Sequence, residues 1–157
     1  MEKREVLLKA LEQVAATINE LGTPERSQGE RLNEQLPLGG ETMQRIRAMV
    51  LKGIQEGWLA DRGEPGLKWG RLTGPTPELH NLSVDVVVRS QPGPGHTHPN
   101  GEFDLCFATS GDPRFDGNAE GWVVYGEGSY HVPTVTGGEM AIVYLLPGGA
   151  IDFKRRG

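Results

Sequence analysis

The sequence predicts a mainly β protein, a small barrel or sandwich with an N-terminal helical region. Three observations predict it. First, the chain holds 23 glycines and 11 prolines in 157 residues, a turn-rich composition, with 36% apolar residues. Second, helical periodicity is confined to the part before Gly57. Third, beyond Gly74-Pro75-Thr76-Pro77 the pattern is one of short alternating runs separated by glycine- and proline-containing turns. The length suits one compact unit. Residues 1–74 are expected to form helices and a hairpin packing on a barrel built from residues 75–157.

Residues 2–21 carry Leu7, Leu11, Val14, Ile18 and Leu21 at spacings of four and three, the stripe of an amphipathic helix, and Gly22 suits its C-terminal cap. The stripe can cover the domain's own core or serve a dimer; a homodimer or higher homo-oligomer is expected. Thr23-Pro24-Glu25 reads as a new helix start, running to about Leu36 before Pro37 and Gly39-Gly40. A third helix is predicted over 41–56, with Met43, Ile46, Val50 and Ile54 on one side. Strands at 58–61 and 67–72, flanking 62–66, read as a hairpin. Helices followed by a hairpin suit a winged helix, but no basic recognition helix is present.

Leu82–Arg89 alternates strictly, with Leu82, Val84, Val86 and Val88 on one face and Ser83, Asp85, Val87 and Arg89 on the other. In 102–109, Glu102, Asp104 and Cys106 share one face, and Phe103, Leu105 and Phe107 share the other. The first face must line a polar cavity, and the second needs a cover. Further strands are expected near 121–125, 138–146 and 150–153.

Charge restricts the partners. The net charge is −5. Residues 1–74 balance at 11 basic and 11 acidic side chains, whereas 75–157 carry 5 and 10. An acidic barrel argues against nucleic-acid binding, and Lys154-Arg155-Arg156 is too short a run to reverse that. No apolar stretch approaches a membrane span or a signal peptide. The single cysteine, Cys106, permits no intrachain disulfide and suits a reducing cytosol, so a cytoplasmic protein is expected.

The chemistry concentrates in His96-Thr97-His98-Pro99-Asn100-Gly101-Glu102. Residues i and i+2 of a strand face one side, so His96 and His98 can aim at one point. Glu102 keeps that parity if the strand resumes after the Pro99-Asn100-Gly101 turn. His131 follows Gly126-Glu127-Gly128 and opens another β-like run. Three imidazoles and a carboxylate suit a divalent transition metal, with Fe, Mn, Zn and Ni all compatible. The same residues without metal would be an acid–base cluster. Asp104 can move protons or orient a histidine. The fourth histidine, His80, lies before the first long strand, where it can cap a turn or reach the site.

At these positions the chain resembles the cupin superfamily. His96, His98 and Glu102 match the ligand positions of its first motif, and His131 matches the histidine of its second. Gly126 and Val135 stand where the second motif has proline and asparagine, and Thr109 stands where the first motif closes on glycine. The resemblance implies a double-stranded β-helix barrel. A closer resemblance, to the 4-hydroxylaminobenzoate lyase family, runs through Arg114-Phe115-Asp116-Gly117, Gly121-Trp122-Val123-Val124-Tyr125, Pro133-Thr134-Val135-Thr136-Gly137-Gly138 and Tyr144-Leu145-Leu146-Pro147. It implies an enzyme converting 4-hydroxylaminobenzoate and water into 3,4-dihydroxybenzoate and ammonia in nitroaromatic degradation. No nicotinamide or flavin is implied, because the N–O bond is the internal oxidant. Glu102, Asp104, His96 and His98 are then the catalytic candidates. An aromatic carboxylate substrate also needs a cation and a slot for its ring. Arg71, Arg89 and Arg114 are candidates for the cation, and Trp122 and Tyr125 for ring packing. Two other functions fit a barrel with these ligands. One is a metal-dependent dioxygenase or isomerase acting on another small aromatic or carboxylic acid. The other is a non-catalytic small-molecule-binding barrel.

Overall fold

The structure is a computed structural model that describes residues 2–153. The basic run Lys154-Arg155-Arg156 lies outside the described residues. Three helices come first, α1 Lys3–Leu21, α2 Gln28–Gln35 and α3 Glu41–Glu56. Eight strands follow: β1 Arg62–Glu64, β2 Leu67–Thr73, β3 Leu82–Arg89, β4 His96–His98, β5 Glu102–Phe115, β6 Gly121–Tyr125, β7 Ser129–His131 and β8 Val135–Pro147. Six of them form an antiparallel sheet in the order β1-β2-β3-β8-β5-β6, and β4 pairs with β7 in a separate ribbon. The protein is mainly β, with the helical region that the periodicity predicts.

The sheet has two buried faces with different partners. On one, Val84, Val86, Phe103, Leu105, Phe107, Val143 and Leu145 share a core with Leu7, Leu11 and Val14 of α1 and Met43, Ile46 and Val50 of α3. The strict alternation of β3 and β5 thus sends every second apolar side chain under the helices. Burying that surface, at about 25 cal/mol per Å² of apolar area, is the main force holding helices to sheet. On the other face, Val87, Cys106, Phe115, Val123, Tyr125, Met140, Ile142 and Tyr144 form a second cluster. The β4–β7 ribbon lies over that face, with its histidines reaching Glu102. The ribbon is tied further by a bridge between Thr97 and Asp152.

Several boundaries differ from the predicted ones. Thr23-Pro24 does not start a helix. The Gln28 side chain accepts from the Glu25 N–H at 3.0 Å and donates to the Leu21 carbonyl at 2.9 Å, holding 22–27 as a turn. Residues 58–61 are not a strand, because Trp58 and Leu59 still donate to the Gly53 carbonyl at the end of α3. The hairpin is therefore shifted, with Arg62↔Trp69 and Glu64↔Leu67 paired around Pro65-Gly66. β5 and β8 run through Gly111-Asp112-Pro113 and Gly137-Gly138, and the ladder absorbs them as irregularities between Ala108 and Ser110 and between Gly111 and Arg114. Of the strand expected at 150–153, only the Asp152 bridge forms. No helix among the described residues is long and apolar enough to cross a membrane.

Candidate metal and catalytic centre

Two short strands and one long one bring the predicted ligands together. In the ribbon, His96 pairs with His131 and His98 with Ser129. Both histidines of β4 point at the first residue of β5, as their parity requires. The His98 Nε2 lies 3.1 Å from Glu102 Oε2, while the His96 and His131 Nε2 atoms each lie 3.7 Å from a Glu102 oxygen. One ligand atom from each of the four residues falls within 4.8 Å of the others. Gly101 makes the tight connection possible. Its φ is +83°, and a Cβ there would lie 2.6 Å from Pro24 and 2.9 Å from the Tyr125 carbonyl.

The outer nitrogens decide the tautomers. His96 Nδ1 faces the Pro94 carbonyl at 3.2 Å, which can only accept. Ser129 donates its hydroxyl proton to the Gly126 carbonyl at 2.7 Å, so its oxygen is left to accept from His98 Nδ1 at 3.0 Å. His131 Nδ1 donates to Asp116 Oδ2 at 2.6 Å. A neutral ring at each position therefore carries its proton on Nδ1 and presents the Nε2 lone pair to the centre. His96 Nε2 and His131 Nε2 stand only 3.2 Å apart. Lone pairs that close to one another and to a carboxylate repel unless a cation lies between them. In addition, the His98 Nε2 and both Glu102 oxygens are buried without a hydrogen-bond partner. Donors about 2.0–2.2 Å from one centre stand roughly 3–3.5 Å apart, so the residues fit a divalent metal ion. This imidazole and carboxylate set does not by itself discriminate among Fe, Mn, Zn and Ni.

Electrostatics sharpen the picture. Glu102 and Asp104 are wholly buried side by side on one face of β5. Burial acts to raise the Glu102 carboxyl, but His96 and His98, when protonated on the nitrogens that face it with no cation between, and the neighbouring Asp104 outweigh it and hold it below the usual carboxylate range. Asp104 goes the other way, pushed well up by burial and then by the Glu102 charge. Burial likewise acts to raise Asp116, but hydrogen bonds from His131, Tyr125 and the Thr134 N–H hold it down as a carboxylate.

Asp116 is the residue whose role the sequence did not disclose. It receives the Tyr125 hydroxyl as well as His131 Nδ1, and the Thr134 N–H at 2.9 Å. It reaches His131 from the far end of β5, and nothing in the local pattern marks it beyond its place in the Arg114–Gly117 run. Replacing it with alanine is expected to free the His131 ring and weaken metal retention about 10- to 100-fold, the usual effect of losing a partner that orients a ligand. Competition with a chelator measures this.

The other candidates are spread out. The Tyr125 ring packs against His131 with centroids 4.2 Å apart and against His98 at 5.4 Å. Trp122 lies on the helix side of the sheet, with its indole N–H donating to the Leu36 carbonyl at 3.2 Å. Arg71 forms a two-pronged ion pair with Asp85, at 2.9 and 3.1 Å. Arg114 pairs with Asp112 at 2.9 Å. Arg89 is buried on the cavity face. His80 is exposed, in a left-handed conformation that caps the turn at Pro77–Leu79.

Comparison with known proteins identifies the family. The sequence profile of the 4-hydroxylaminobenzoate lyase (PnbB) family matches residues 9–153. A 4-hydroxylaminobenzoate lyase of Pseudomonas putida is 30% identical over 146 residues, covering 80% of this chain and 83% of that protein. One from Nocardioides sp. (strain LMS-CY) is 29% identical over 132 residues, covering 78% of each. A crystal structure of an RmlC-like cupin protein from Ralstonia eutropha JMP134 matches 54% of this chain and 58% of that one, at 13% identity and a TM-score of 0.39. A profile match running through almost every described residue, with relatives aligned over most of their own length, shows that this chain belongs to the 4-hydroxylaminobenzoate lyase family and is an enzyme of that lyase-like kind.

Proposed function

We propose that the protein converts 4-hydroxylaminobenzoate and water into 3,4-dihydroxybenzoate and ammonia, a step of nitroaromatic breakdown. The observation that carries this reading is the inward convergence of three imidazole lone pairs and the Glu102 carboxylate, with Asp104 beside them, in a chain of this family. The reaction is redox-neutral overall. The N–O bond breaks with its electron pair going to oxygen, which must be protonated to leave as water. The ring, now short of electrons, takes up the oxygen of a water molecule at the carbon beside the one bearing nitrogen. Water then adds to the resulting C=N carbon, ammonia leaves, and loss of a ring proton restores aromaticity. One water is consumed in total.

Each demand has a candidate in this chain. His96, His98, Glu102 and His131 would hold a metal, which when bound supplies Lewis-acid polarisation of an oxygen. Asp104, buried at the flank of Glu102, is the candidate donor of the proton that the leaving oxygen needs. The Tyr125 ring, packed on His131 and His98, supports a role in bordering an aromatic substrate. The wholly buried surroundings of Glu102 and Asp104 favour exclusion of bulk water, which strengthens charge interactions there.

Incubation of the purified protein with 4-hydroxylaminobenzoate in the absence of oxygen and nicotinamide is expected to release ammonia and 3,4-dihydroxybenzoate in equal amounts. Oxygen uptake matching product would instead establish a dioxygenase. Binding with no product, with or without Fe(II), Mn(II) or Zn(II), would establish a non-catalytic binding protein.

A further inference from the structure

One buried charge is left over once the centre is described. Arg89, on the face of β3 that carries Val87, is only 4% exposed. Its Nη1 donates to the Pro133 carbonyl at 2.9 Å. Its Nε is buried with no hydrogen-bond partner, and among the described residues no carboxylate lies within ion-pair distance of it. A buried guanidinium without a counter-ion is costly, and removing one partner of a buried ion pair is strongly destabilising. Arg71 and Arg114 differ in this respect, since each already holds an aspartate.

The segment after β3 passes directly over the guanidinium, where a Cβ on Gly93 would fall 2.4 Å from Nη1. Tyr144 lies on the same face of β8, and its buried hydroxyl also has no partner. Burial pushes the Tyr144 phenol well up, and the charge of Arg89 acts against that rise. Arg89 pairs with Met140, while Glu102, one residue before the Phe103–Leu145 pair, is level with Leu146, which sets the two rows six residues apart along β8 and two strands apart across the sheet. At about 3.3 Å per residue and about 4.8 Å per strand that is roughly 22 Å between backbones. Side chains reaching in from both rows shorten this to the scale of a benzene ring with substituents at opposite ends.

We infer that Arg89 is the subsite that takes the carboxylate of an aromatic acid whose opposite end meets the His96/His98/Glu102/His131 centre. This rests on the lyase reading and deepens it. The ligand supplies the missing counter-ion, and a guanidinium fork matches a carboxylate through two parallel hydrogen bonds.

The test uses two inert ligands of one shape, 4-aminobenzoate and the neutral 4-aminobenzamide, titrated calorimetrically into the full-length protein. Wild type is expected to bind the carboxylate roughly 10- to 100-fold more tightly than the amide, the range for a hydrogen bond to a charged group. Arg89→Met is expected to bind both alike while keeping the wild-type circular dichroism and metal content. Arg114→Gln should keep the wild-type preference. Arg89→Lys retains a buried charge without the fork, guarding against a misfolded Met variant, and is expected to lose most of the preference. Equal affinity of wild type for the two ligands, binding of neither, or full preference in both Arg89 variants overturns the subsite. Ammonia release from 4-hydroxylaminobenzoate is followed on the same samples. Turnover without carboxylate preference sinks the subsite alone. Preference abolished in Arg89→Met, without turnover in wild type, upholds the subsite and sinks the lyase reading.

Discussion

His98→Ala is expected to remove bound metal and turnover together. The imidazole is wholly buried, its Nε2 is 3.1 Å from Glu102 Oε2, and its Nδ1 is held by Ser129. No neighbour can swing in to replace it, because His96 and His131 are already committed through Pro94 and Asp116. The loss should exceed the roughly 10²–10⁴-fold attributable to general acid–base assistance alone, since a metal site stripped of one ligand loses affinity and geometry at once. Metal content by elemental analysis, beside ammonia release, is the check. If the cluster works without metal, the same variant keeps partial activity with an altered pH profile and no change in metal content. The two outcomes separate the metal reading from the acid–base one.

Phe107→Ala is expected to destabilise the fold by about 3–5 kcal/mol, the usual cost of emptying a large aromatic site in a core. Phe107 is fully buried among the residues that join β5 to the helices, and Arg47 lies over its ring, 5.8 Å from the centroid. The rigid sheet on one side and packed helices on the other leave little scope for collapse into the cavity. Against a typical total of about 5–15 kcal/mol, such a loss would move the urea midpoint far down and leave a large fraction unfolded near body temperature. Metal and substrate affinity of the folded fraction should change little, because Phe107 faces away from Glu102. A variant with wild-type stability would mean that the helices do not depend on this face.

These two residues lie on opposite sides of one sheet, and the alternation along β5 is what separates them. That alternation was legible in the sequence. Phe103, Leu105 and Phe107 must go one way and Glu102 and Asp104 the other, whatever the strand packs against. The same reasoning applies to the four-and-three stripes of α1 and α3. The His96/His98 parity is of this kind too, because a two-residue repeat is a property of extended backbone. Where the local pattern misled, a side chain or carbonyl from a neighbouring turn had intervened. Gln28 caps 25, and the Gly53 carbonyl captures Trp58 and Leu59.

What the sequence by itself determined, then, was the sidedness of each element and the ligand types it carries, since both follow from backbone periodicity within a few residues. The tertiary structure alone decided which distant residues meet. The pairing of His96 with His131 is a matter of strand register across 35 positions. The orientation of the His131 ring by Asp116 depends on where the far end of β5 returns. The distinction among three arginines of like chemistry rests on partners, with Asp85 filling the fork of Arg71, Asp112 engaging Arg114, and burial leaving the Arg89 Nε unsatisfied. Such partners are brought together by packing between segments far apart in the chain, and no local spacing encodes them.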